Sequence, residues 1–80
     1  MGKIYWNYET SIGDTTCVSI RSSGTVRDAD YYSFLGEFAN HFNSRITTIG
    51  YPLKTVDGCY ICIISLKNRT MINFRNEFSY

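Results

Sequence analysis

Eight consecutive residues, Cys59-Tyr60-Ile61-Cys62-Ile63-Ile64-Ser65-Leu66, are apolar on both sides of an extended chain. Successive side chains of a strand point to opposite faces, so Cys59, Ile61 and Ile63 fall on one face and Tyr60, Cys62, Ile64 and Leu66 on the other. A strand of this kind fits a sheet that is covered on both faces. Within one chain only 80 residues are available for that cover. A domain that small buries only about 60% of the surface its unfolded form exposes.

The sequence supplies one helix for that purpose. After Ser22-Ser23-Gly24 the apolar period changes, with Tyr31, Leu35, Phe38 and Phe42 at i, i+4, i+7 and i+11, joined by Phe34, Ala39 and Ile46. This spacing predicts an amphipathic helix whose solvated side carries Asp30, Ser33, Glu37, Asn40 and Ser44. Asp28 is the expected N-cap, with Thr25 as the competing one, and Asp30 complements the helix dipole.

Strands account for the remainder. Residues 3–9 alternate, with Ile4, Trp6 and Tyr8 on one side and Lys3, Tyr5, Asn7 and Glu9 on the other, and residues 16–21 do the same with Val18 and Ile20 opposite Cys17, Ser19 and Arg21. Turn residues at 11–15 join them into a hairpin. Residues 46–51 are rich in β-branched side chains and begin a third strand that Pro52 interrupts or confines to an edge. Asp57-Gly58 predicts a two-residue hairpin turn between residues 53–56 and 59–66, because this pair adopts positive φ readily. Residues 70–78, where Ile72, Phe74 and Phe78 alternate with polar neighbours, read as a last strand, with a terminal helix as the alternative. The expected fold is α+β: a single domain over residues 1–80, in the order β-β-α-β-β-β. It has an antiparallel sheet of four to five strands and one helix packed on one face.

Cys59 and Cys62 form a Cys-x-x-Cys spacing, which elsewhere marks redox couples and half-sites for zinc. A redox pair needs its first thiol at a helix N-terminus, and here both lie in a strand context, where a separation of three sends the side chains to opposite faces. A zinc site needs further ligands; Cys17 and the sole histidine, His41, are the remaining candidates and do not form a second knuckle. Three cysteines as small buried hydrophobes in a reducing compartment is the simpler reading. Glu37 and His41, four apart on the helix, read as solvated side chains, and Asp28 and Asp30 as helix-start residues without acid-base chemistry. No nucleophile motif, glycine-rich phosphate loop or cofactor motif is present.

Charge names no partner. Eight Lys and Arg stand against seven Asp and Glu, a formal net of +1, too little to draw the whole chain to nucleic acid or an anionic membrane. No apolar run approaches the roughly 18 residues that span a bilayer, and the N-terminus has no signal-peptide order, so a soluble protein of the cytoplasm is expected.

One helix covers one face of the sheet. The far side must be covered by curling of the sheet or by association, either as a homodimer or with a target protein. Tyrosines and arginines around an apolar centre match interface composition, which makes Tyr5, Arg21, Tyr60, Ile64 and Arg75 the expected partner-binding residues. In size, in its lack of catalytic motifs and in aromatic content the chain looks like the small inhibitors encoded by phages, anti-CRISPR proteins among them. That resemblance is one of type, carries no motif and transfers no binding residue. It implies a non-enzymatic protein that blocks or modulates a macromolecular partner. A nucleic-acid-binding module that stacks bases on the open face through Tyr5, Tyr8, Tyr60, Arg21 and Arg75 is the alternative. A small thiol or metal enzyme built on Cys17, Cys59, Cys62 and His41 is the weaker one.

Overall fold

The first strand extends further than the sequence pattern indicates: β1 runs Lys3–Ile12 and turns at Gly13-Asp14 into β2, Thr15–Ser23. Ile12 pairs with Thr15, so the hairpin loop has two residues, and Gly13 supplies the positive φ of 58° that such a tight turn needs. This is a computed structural model that describes residues 2–67. Helix α1, Asp28–His41, follows, then a single 3-10 turn at Asn43–Arg45, β3 at Ile46–Ile49, β4 at Leu53–Lys54 and β5 at Tyr60–Lys67. The order is β-β-α-β-β-β in an antiparallel five-stranded sheet, an α+β architecture. The strand expected over residues 70–78 lies outside the described residues.

The doubly apolar stretch sits in the middle of the sheet. β5 pairs with β2 on one side and with both β3 and β4 on the other, giving the order β1-β2-β5-β3 with β4 also on β5. β3 and β4 follow one another along the same edge of β5, as one strand interrupted at Gly50-Tyr51-Pro52. Gly50 keeps contact across the break, its N–H donating to Ile63 O at 2.8 Å. A Cβ there would lie 3.1 Å from that same oxygen, so the close approach suits glycine.

Helix α1 lies on the face formed by Val18, Ile20, Tyr60, Cys62, Ile64 and Leu66, and it contributes Tyr31, Phe34, Phe38 and, at its C-cap, Phe42. Each such side chain removed from water stabilises the fold by on the order of 1.5–3 kcal/mol. Phe38 and Phe42 meet at 4.7 Å between ring centroids, and Tyr31 stacks on Tyr60 at 4.3 Å. Tyr31 is fully buried, and its hydroxyl donates to Ile20 O at 2.6 Å, which satisfies both groups inside the core. Burial also pushes its phenol pKa well above the usual tyrosine range.

Two local expectations are corrected. The N-cap of α1 is Arg27, extended at φ −74° and ψ 143°, and neither Asp28 nor Thr25 caps it. Asp28 is instead engaged by Tyr60, whose hydroxyl donates to it, and by the Lys54 ammonium 3.2 Å away. These partners hold its carboxyl below the usual range, the Tyr60 hydrogen bond foremost. The turn at Asp57-Gly58 is also longer than two residues. Gly58 N–H donates to Thr55 O (3.0 Å) and Thr55 N–H to Cys59 O (2.8 Å), so the loop is Val56-Asp57-Gly58 with Gly58 at φ 86°. A turn followed by a left-handed glycine is the common three-residue hairpin loop, and it shortens the strand expected over 53–56 to Leu53–Lys54.

Candidate partner-binding face

The side of the sheet away from α1 is organised by an irregularity in β1. Tyr8 pairs with Val18 and Thr10 with Cys17, leaving Glu9 as an extra residue in a bulge. The bulge turns the Glu9 carboxylate onto the outer face, over β2. There Ser19 Oγ donates to Glu9 Oε2 at 2.5 Å, Arg21 Nη2 donates at 3.0 Å and Asn7 Nδ2 at 3.4 Å, while Arg21 Nε donates to Ser19 Oγ at 2.9 Å. Ser19 is fully buried beneath this network, although among the described residues no helix lies over it.

Ser19 and then Arg21 hold the Glu9 carboxyl below its ordinary value. A depressed folded-state pKa stabilises the fold at pH above the unfolded value, and the contribution is lost as pH falls through the folded one. Melting of the wild type and of Glu9→Gln between about pH 6 and pH 2.5 checks this against the ordinary carboxylate range of about 4.3. The wild type is expected to lead at pH 6 and to converge on the variant in acid. A gap of constant size across the range would contradict it.

Beside the network lies an apolar row set by strand register: Leu53 faces Ile61, Ile61 faces Arg21, and Arg21 faces Tyr5. One step along, Ile63 faces Ser19, which faces Asn7. Leu53 is 65% exposed, Ile63 43% and Tyr5 38%, and Ile61 is half-buried. Among the described residues no element lies over this row. Tyr51 and Val56, in the segments flanking β4, are still more exposed.

The expected binding residues divide between the two faces. Tyr5 and Arg21 are neighbours on the outer face. Tyr60 and Ile64 are at 5% and 0% exposure under α1, on the opposite side, because even-numbered positions of β5 face the helix. Tyr60 is thus occupied with Tyr31, Asp28 and Lys54, the last lying 5.3 Å over its ring. Arg75 lies outside the described residues. Tyr8 shares the helix side of β1 with Ile4 and Trp6, so the imagined stacking platform of Tyr5, Tyr8 and Tyr60 is not assembled on one face. Leu53, Ile61 and Ile63 were not among the expected binding residues. Strand parity alone would have found Ile61 and Ile63, whereas Leu53 needs the β4–β5 register.

The cysteines are separated as well. Cys59 Sγ donates to Gly24 O at 3.6 Å, Cys62 Sγ to Gly50 O at 3.2 Å, and Cys17 Sγ lies 3.7 Å from Ser65 Oγ on the outer face. All three are free, and burial raises the pKa of the Cys62 thiol. Among the described residues no three His, Cys, Asp or Glu side chains gather as a metal-holding group, and no helix is long and apolar enough to cross a membrane. The chain matches no family model, no curated protein and no solved structure.

Proposed function

We propose that the chain is a non-enzymatic binding protein that engages a protein partner through the outer face of its sheet and blocks or modulates that partner. The observation that carries this reading is the row Leu53-Ile61-Ile63, exposed at Leu53 and Ile63, beside Tyr5 and Arg21, an apolar centre with an aromatic and an arginine at its margin. Such a composition favours protein over nucleic acid, because Arg21 is already paired with Glu9 at 3.0 Å and offers little charge to a phosphate. A reducing compartment such as the cytoplasm suits three free thiols. Inhibition of a host defence complex, the activity of the phage proteins this chain resembles in type, is one partner relation of this form.

The test compares wild type with Ile63→Asp, which places a carboxylate at the centre of the row. A protein retained from host lysate by the wild type and lost by the variant supports the reading. So does a self-associated wild type that sediments as a monomer after the substitution, with a second copy as the partner. Equal retention of the same protein by both chains overturns the assignment of the face, and steeply salt-dependent binding of an oligonucleotide would move the function to nucleic acid.

A further inference from the structure

On the helix side, at the opposite surface of the sheet from the proposed interface, a cleft of about 560 Å³ opens between the start of β1 and the first three turns of α1. That size falls within the range of pockets that hold small organic ligands, roughly 300–1,000 Å³. Ile4, Val26 and Phe34 supply apolar walls. The polar lining comes chiefly from one stripe of the helix, where Asp30, Ser33 and Glu37 are spaced i, i+3 and i+7 and so share a face.

Among the described residues the charges of the cleft do not cancel. Arg27 donates through Nε and Nη2 to the two oxygens of Asp30, each at 2.9 Å, so these two side chains neutralise one another. The bidentate pair fixes both groups and holds the Asp30 carboxyl below its usual range. Glu37 is exposed and has no ion pair or hydrogen bond among the described residues. Among the described residues the cleft therefore presents apolar walls, the hydroxyls of Thr25 and Ser33, and one negative charge without a partner. We infer that it binds a small organic ammonium ion, whose apolar body lies against Ile4, Val26 and Phe34 and whose cationic head meets Glu37. Ser33 Oγ provides an acceptor for a second N–H of the same head. This site is independent of the outer face, and either can fail without the other.

The probe is 2-phenylethylamine, protonated at neutral pH, titrated into the full ¹⁵N-labelled chain beside two analogues of the same shape, neutral 2-phenylethanol and anionic 3-phenylpropanoate. The amine is expected to give saturable amide shifts at Ile4, Val26, Ser33 and Glu37. The alcohol should bind more weakly and the carboxylate should give no saturable shift. Glu37→Gln changes an exposed side chain and is expected to weaken amine binding about two- to fivefold, the range for an exposed ion pair, without altering alcohol binding. Absence of saturable shifts at the cleft overturns the inference. So does equal affinity for all three probes, or amine affinity unchanged in Glu37→Gln.

Discussion

Ile64→Asp is expected to leave the chain unfolded at room temperature, whereas Ile63→Asp, one residue earlier on the same strand, is expected to leave it folded. Ile64 is fully buried between β2, β3 and the helix, so the substitution removes a core side chain and puts a carboxylate where no partner is available. Losing the aliphatic group alone costs about 2–5 kcal/mol, and an unsatisfied polar group adds at least about 1–3 kcal/mol. That total consumes most of the stability available to a domain of this size. Ile63 is 43% exposed on the outer face, where an aspartate stays in water. Far-ultraviolet circular dichroism of the two variants measures the contrast, and a folded Ile64→Asp would mean that α1 does not cover this face as described.

Phe38→Ala carries the next largest effect. The ring is fully buried in the last turn of the helix and packs on Phe42. Truncation removes its transfer free energy and leaves a cavity, for about 3–5 kcal/mol. In a domain of 60–100 residues each kcal/mol moves the melting temperature by roughly 4–8 °C, so a drop of more than about 12 °C is expected in a thermal scan. Leu35, another member of the predicted stripe, is only half-buried, and its replacement by alanine should cost much less.

That difference marks how far the sequence can be read. The 3.6-residue period located the helix and its aromatic face, since burying one stripe is a local requirement of the pattern. It could not rank Phe34 above Leu35, because which flank of the stripe is covered depends on where the helix crosses the sheet. Strand parity likewise separated Ile63 from Ile64 correctly. It could not say which side the helix would take, so Tyr60 and Ile64 were expected at an interface and are in the core, while Tyr5 and Arg21 do lie on the outer face. The cap at Asp28 failed for a similar reason. An aspartate at a helix start has more than one use, and the tyrosine and lysine that engage it come from strand β5 and strand β4, 32 and 26 residues away. The bulge that turns Glu9 over Ser19 leaves no mark in the alternation of β1, and with it the polar half of the outer face was hidden.

The broken edge formed by β3 and β4 has a consequence for how the molecule behaves in a crowded solution. A straight outer strand offers a row of unpaired amides and carbonyls on which a second chain can template itself, and repetition of that step builds fibrils. Here the edge is bent by the irregular pairing between Ile46 and Thr48, then interrupted at Gly50-Tyr51-Pro52, where the proline has no N–H to give. The other outer strand of the described sheet, β1, is kinked at Glu9. Both irregularities work against open-ended strand addition along the edges of the described sheet.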